Sequence, residues 1–300
     1  MTTTTQNGVR RRGPYGMEYA RIVVPDMAET IRFLEYHVGL QLEEHTDDYA
    51  YLRTGIEHHC IELINDPSRE ESETVAIGFS VENGEVLADL RARVEEAGLE
   101  VLPLQERQQK LCQEGFAVKD PDGLIVELFT EFQEYAEPPM FVAIRPVKLV
   151  HPFLATPRYE ECLKFYTEVL GFLVSDYVGD ISAFLRSEDR YHHSLALQRN
   201  TKHYVAHLCF MMESLDHVMR RRARALYKKV PIASDMVNHS ASTSIAFYMH
   251  DPKHGPRYEL CNGHRVFTPE EHETHRPRRM VADPRNIDVW RPASDDWERF

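Results

Sequence analysis

No stretch of about 18 apolar residues runs through this 300-residue chain, so nothing in it reads as a membrane-spanning helix. A basic-then-apolar leader is missing too: the opening MTTTTQNGVRRRGP is polar and low in complexity, and residues 1–16 are expected to form a disordered tail. Cysteine is scarce and odd in number. Cys60, Cys112, Cys162, Cys209 and Cys261 are scattered without a CxxC pair, which argues against a disulfide framework and for reduced, mostly buried thiols in a cytoplasmic protein. Positive charge is in deficit. With a formal net charge of -13 the chain repels phosphate backbones, so no nucleic-acid partner is expected. The run HVMRRRARALYKK, at helical spacing, goes against that balance and reads as a solvated helix face.

What is present is ordinary for a globular protein, 42% apolar and 28% charged, and long enough for about two domains. The informative feature is a repeat. Residues 17–130 and 148–262 pass through the same signals in the same order. MEYARIVV corresponds to KLVHPFLAT, and ETIRFLEYHVGL to ECLKFYTEVLGF, with Phe33 and Phe165, and Gly39 and Gly171, at one offset. The two glycines sit where a helix would stop. DYAYLRTGIEHHCIELI matches ISAFLRSEDRYHHSLALQ, and TVAIGFSVE matches YVAHLCFMM. Both halves close on an Asp-Pro turn and a strand, FAVKDPDGLIVELF and FYMHDPKHGPRYEL. The order strand, helix, several strands occurs four times. This predicts an α+β protein of two domains, each of two βαβββ modules whose mixed sheet curls, barrel-like, around a cavity. Residues 131–147, with three prolines, read as a linker, and 263–300 as a tail packing over the second domain, with Val289, Trp290 and Trp297 as apolar anchors.

Two copies of one fold share what folding needs, so residues present in one copy alone are candidates for chemistry. His151 stands where the first half has Tyr19, His207 where it has Ile77, His239 opposite about Gln108, and Tyr248 opposite Ala117, while Glu259 and Glu127 match. The second half therefore has two histidines and a carboxylate on strands, each alternating with apolar neighbours. That donor set is the facial triad of non-haem Fe(II) oxygen chemistry; it accepts Mn(II) as well, and zinc tolerates the same donors, so ligand type alone does not settle the metal.

The repeat resembles the vicinal oxygen chelate superfamily. Within it, residues from about 17 to 290 resemble the two-domain type I extradiol dioxygenases through LVHPFLAT, KFYTEVLGF, YHHSLALQ, VAHLCF and the segment FYMHDP to YEL. The resemblance implies Fe(II) held by His151, His207 and Glu259, His193 as acid–base residue, and His239 and Tyr248 as hydrogen-bond partners of the substrate hydroxyls. It implies O2 and a catechol-type small molecule as reactants, and an assembly of copies. The turn before Glu259 is one residue longer than its first-half counterpart, a departure that bears on the register of Glu259. His58 and His59 repeat the double histidine where no triad stands beside it, and read as structural. Other ring chemistries on the same triad, such as a hydroquinone or 4-hydroxyphenylpyruvate type, and a metal-free binding protein of the same superfamily are the competing expectations.

Overall fold

The computed structural model describes residues 10–291; Trp297 and the first nine residues lie outside them. Two mixed sheets carry the two repeats. The first half contributes β1 (Gly16–Val24), β2 (Gln41–His45), β3 (Tyr49–Arg53), β4 (Ile61–Asn65), β5 (Glu73–Ser80), β6 (Glu114–Lys119) and β7 (Ile125–Thr130), in the order β2-β3-β4-β1-β5-β7-β6. Helices α1 (Met27–Phe33), α2 (Gly84–Glu96) and the short α3 (Glu106–Gln109) connect them. The second half contributes β8 (Pro146–Thr156), β9 (Leu173–Val178), β10 (Ser182–Arg186), β11 (Leu195–Arg199), β12 (Tyr204–Met212), β13 (Ile232–Asn238), β14 (Ile245–Met249) and β15 (Arg257–Asn262), with α4 (Tyr159–Lys164) and α5 (Leu215–Tyr227). A tail helix α6 (Pro269–Thr274) and strand β16 (Arg278–Met280) follow, giving the order β13-β14-β15-β12-β8-β11-β10-β9-β16.

The mixed α+β architecture and its curled sheets agree with the sequence, with two differences. The second module has only two strands after its helix. Its missing strand is reduced to a bridge between Leu102 and Ala117, because α3 and its flanking turns take up the chain that would pair there. Neither sheet closes into a barrel: each keeps two ends, and the tail joins those of the second sheet. β16 lies parallel on β9, while Asp288 bridges to His239 just beyond β13, so residues 278–289 cross the open side of the second sheet.

The halves clasp each other reciprocally. Both α1 and α4 run on into a π-helical turn (Leu34–Val38 and Phe165–Val169) that ends near a glycine in the left-handed region, Gly39 at φ 96° and Gly171 at φ 82°. Buried Arg221 of α5 lies against Gly39 and donates to the Tyr36 carbonyl at 2.9 Å, while buried Arg93 of α2 lies against Gly171 and donates to the Arg12 carbonyl at 2.5 Å. A side chain at either glycine would fill the space the guanidinium needs. The basic run is therefore more than a solvated face: its Arg221 is buried in the clasp. Residues 10–15, expected within a disordered tail, are docked by ion pairs, Arg10 with Glu188 (2.6 Å), Arg11 with Asp89 and Arg12 with Glu82. All five cysteines are free, and Cys112 alone is partly exposed.

Candidate metal centre

Strands β8, β12 and β15 are neighbours in the second sheet, and register brings three side chains together on their common face. Cys209 pairs with His151 on one side and Glu259 on the other, and His207, two residues earlier on β12, points the same way. In the first sheet Gly78 sits between Tyr19 and Glu127 in the same manner. Glu259 therefore keeps the register of Glu127 in spite of the longer turn. The Asp251 carboxylate collects the backbone N–H groups of Lys253 (2.7 Å) and Gly255 (3.1 Å), which folds the extra residue into the turn before β15. The same register corrects one pairing: His207 corresponds to Ala76, not Ile77. Thr74 stands opposite Val205 and Ala76 opposite His207, because seven residues (66–72) join β4 to β5 where four (200–203) join β11 to β12.

The donor atoms converge. His207 Nε2 is 3.1 Å from Glu259 Oε2, His151 Nε2 is 3.3 Å from His207 Nε2, and His151 Nε2 is 3.6 Å from Glu259 Oε2. A metal about 2.1 Å from each ligand needs donors roughly 3.0 Å apart at octahedral angles and roughly 3.4 Å apart at tetrahedral ones. The three residues fit such an ion, and all three are buried. Burial drives the His207 pKa down to about 4 against the pull of Glu259, so the imidazole is neutral and free to ligate. Burial opposes charge on Glu259 as well, but hydrogen bonds from His151, His207 and His239 outweigh it and keep the carboxyl ionised.

His193, His239 and Tyr248 surround this cluster. His193 Nε2 is 3.3 Å from His151 Nε2. His239 Nε2 lies 2.7 Å from the Tyr248 hydroxyl and 3.4 Å from Glu259 Oε1, and its Nδ1 donates to the Ile287 carbonyl at 3.2 Å. All of them line one cavity of about 580 Å³ whose walls are largely aromatic and apolar, with Phe153, Phe184, Met236 and Trp290 among them. Phe153 stacks on His207, ring centroids 4.8 Å apart. Arg257 and Arg291 reach this cavity, whereas Arg276, Arg278 and Arg279 do not line it.

In the first half the corresponding space is filled. The Tyr19 hydroxyl donates to Glu127, and Arg21 lies between Glu62 (2.5 Å) and Glu127 (3.1 Å). Gln108, opposite His239 in the repeat, donates to Glu62 at 2.8 Å. His58 and His59 pack among Tyr51, Phe132 and Tyr135.

Two buried residues escaped the sequence reading. His264 accepts from the His193 backbone N–H at 3.4 Å, with its ring 4.6 Å from that of His193, and forms with His151 and His193 a second cluster of metal-type donors. It lies just past the repeat, so comparing the halves could not expose it. Asp176 on β9 contacts His192 and tail residue Arg278, partners 16 and 102 residues away in sequence.

With fold and site in view, the comparisons with known proteins agree. The chain belongs to the glyoxalase/bleomycin resistance protein/dioxygenase superfamily, whose model matches residues 16–128 and again 148–260. An iron-dependent extradiol dioxygenase of Rhodococcus jostii (strain RHA1) is 27% identical over 258 residues, 79% of this chain and 85% of that protein. Among solved structures, the Mn(II)-bound glyoxalase from Novosphingobium aromaticivorans superposes with TM-score 0.82 at 26% identity, covering 93% of this chain and 91% of that one. The 2,3-dioxygenase LapB from Pseudomonas sp. KL28 superposes with TM-score 0.79 at 22% identity, covering 91% and 99%, and supports the fold.

Proposed function

We propose that this chain is a non-haem Fe(II) extradiol dioxygenase that opens a catechol-type ring beside its two hydroxyls with O2, with His151, His207 and Glu259 as the metal ligands. The observation that carries the reading is the convergence of one carboxylate and two imidazoles within 3.1–3.6 Å on one wall of an aromatic-lined cavity. Three ligands on one face leave room on the other for a bidentate ring and for O2. The iron-dependent relative supports the choice of metal, and the Mn(II)-bound neighbour supports Mn(II) as an alternative occupant.

Bound there, the metal would acidify the catechol hydroxyls and give ring and O2 a common meeting point. The chain's own groups do the rest. His193, buried beside His151, is placed to take a proton from a substrate hydroxyl and to return it as the ring opens. Tyr248 and His239, joined by their 2.7 Å hydrogen bond, form the polar wall that holds the ring oxygens and stabilises charge on them. Phe153 and Phe184 offer flat apolar contact to the ring, and the tail segment at Ile287 and Trp290 keeps water from the reacting face. The five unpaired cysteines support work in a reducing cytoplasm, and the acidic surface disfavours nucleic-acid partners.

Metal analysis of the wild-type chain against His151→Ala and Glu259→Ala, with O2 uptake on added catechols, tests the assignment. About one iron per wild-type chain, and far less in either variant, is expected. Undiminished iron in both variants would move the metal elsewhere, with the His151, His193 and His264 cluster next to be examined.

A further inference from the structure

A chain of buried polar contacts runs from the tail to the metal centre. Arg278 of β16 grips Asp176 of β9: its backbone N–H and its Nε both donate to Oδ1, at 3.0 and 2.8 Å, and its Nη2 donates to Oδ2. Asp176 Oδ2 lies 2.8 Å from His192 Nε2, His192 Nδ1 lies 3.1 Å from His193 Nδ1, and His193 Nε2 faces the donor cluster, 3.3 Å from His151 Nε2. Asp176, His192 and His193 are all buried.

The direction of each hydrogen bond follows from the fixed end. Burial disfavours charge on Asp176, but the hydrogen bonds from Arg278 and His192 outweigh it and hold the carboxyl below the usual carboxylate range. An ionised carboxylate only accepts, so the His192 proton sits on Nε2. His192 Nδ1 is then a lone pair, and the proton between the two rings must come from His193 Nδ1. His193 Nε2 is left as a lone pair directed at the open face of the centre. The opposite polarity would need His192 as an imidazolium, which burial and the neighbouring Arg278 and Arg265 disfavour.

We infer that Asp176 and His192 are positioning residues that fix His193 in the Nδ1–H tautomer, so that Nε2 is the proton acceptor at the site, and that the tail locks this arrangement through Arg278. The inference rests on the dioxygenase reading for what the acceptor does, though not for the tautomer itself. In the reaction the substrate hydroxyl proton passes to His193 Nε2, the charge stays on the imidazolium while its Nδ1–H remains bonded to His192, and the proton leaves again from Nε2 to product.

The first half supplies a built-in comparison. His58 and His59 stand Nδ1 to Nδ1 at 3.0 Å, much as His192 and His193 do. The counterpart of Asp176 by strand register is Glu44, opposite Tyr51 as Asp176 is opposite Phe184. Glu44 is exposed and bonded to Tyr49 instead, and His59 Nε2 has no partner. The carboxylate end of the chain is thus present only in the half with the metal-type cluster, whereas the double histidine is common to both.

Asp176→Asn is the informative change. The amide oxygen stays at the Oδ1 position, where two Arg278 donors meet, and this turns the NH2 toward His192 Nε2 at the loss of the single Arg278 Nη2 bond to Oδ2. Every hydrogen bond down the chain then reverses, and the His193 proton moves to Nε2. Ring nitrogens are read from 15N spectra of histidine-labelled full-length protein loaded with Zn(II), a diamagnetic stand-in for iron, with His193→Phe identifying the signals. Expected are an Nδ1–H His193 in the wild type and an Nε2–H His193 in Asp176→Asn. In the iron-loaded enzyme Asp176→Asn should lose about 10²-fold or more in kcat, the range of a general base. Iron content should be unchanged, KM within about threefold, and most of the rate recovered in Asp176→Glu. His192→Phe leaves the Asp176–Arg278 pair in place and should show a similar kcat loss even if Asp176→Asn disturbs the tail. A wild-type His193 protonated on Nε2 overturns the inference, as do wild-type rates in both variants. If the tautomer is as described but no catechol consumes O2, the proposed function fails and the tautomer assignment stands.

Discussion

Arg21→Met in the first half puts the internal comparison to a quantitative test. Arg21 is fully buried between Glu62 and Glu127, at 2.5 and 3.1 Å. Methionine fills much of its volume, so the dominant loss is electrostatic. Glu62 would keep Arg107 at 3.0 Å and Gln108 at 2.8 Å, but Glu127 would keep only the Tyr19 hydroxyl. A unit charge pair about 4 Å apart at an effective dielectric near 20 is worth roughly 4 kcal/mol, and breaking a buried pair by removing one partner costs about 3–5 kcal/mol. Unfolding of the first half should weaken by that amount, lowering Tm by on the order of 10 °C. Differential scanning calorimetry at neutral pH, with metal content measured on the same samples, is the assay. Adding Glu127→Gln to Arg21→Met should recover most of the loss, because the stranded charge is then gone. Metal content should not change, since His151, His207 and Glu259 sit on the other sheet. A destabilisation under about 1 kcal/mol would mean that the first half is not held by this network, and would refute the reasoning.

Three further outcomes are expected. Glu18 is partly buried at the junction of the halves, and burial raises its carboxyl pKa to about 7 although Lys148 pulls it down. A raised folded pKa contributes stability that is full below the unfolded value near 4.5 and is lost as pH rises through 7, so Glu18→Gln should flatten that decline, by up to about 3 kcal/mol in urea titrations at pH 5 and pH 8. An unchanged pH slope in the variant would disprove the assignment. Gly39→Ala forces a side chain into the left-handed region at φ 96°, 2.9 Å from the Ile144 carbonyl and against Arg221; a cost of about 1–3 kcal/mol and a looser clasp, seen as a lower Tm, are expected. His193→Phe should bind iron and catechol yet lose about 10²- to 10⁴-fold in turnover, and normal turnover would remove His193 from the proton transfer.

Much of this was legible in the sequence because the fold is written twice. Offsets between the halves located the glycines of the clasp, singled out His151 and matched Glu259 with Glu127, since strand alternation and register are local and periodic. The counterpart of His207 slipped by one, because the connections leading into β5 and β12 differ in length and composition does not mark where each strand begins. Asp176, His264 and the tail escaped for another reason. Their roles depend on contacts between segments far apart in the chain, such as Arg278 with Asp176, that have no counterpart in the first half. The basic run on α5 hid Arg221, which differs from its exposed neighbours only in facing the other domain.

The central claim is tested most directly by loading the metal-free chain anaerobically with Fe(II), admitting air, and following O2 uptake and absorbance with catechol, 2,3-dihydroxybiphenyl and 3,4-dihydroxyphenylacetate. The account predicts stoichiometric O2 consumption and a yellow ring-opened product with at least one of them, abolished in His207→Ala. Iron bound at His151, His207 and Glu259 with no O2 consumed on any catechol would contradict it.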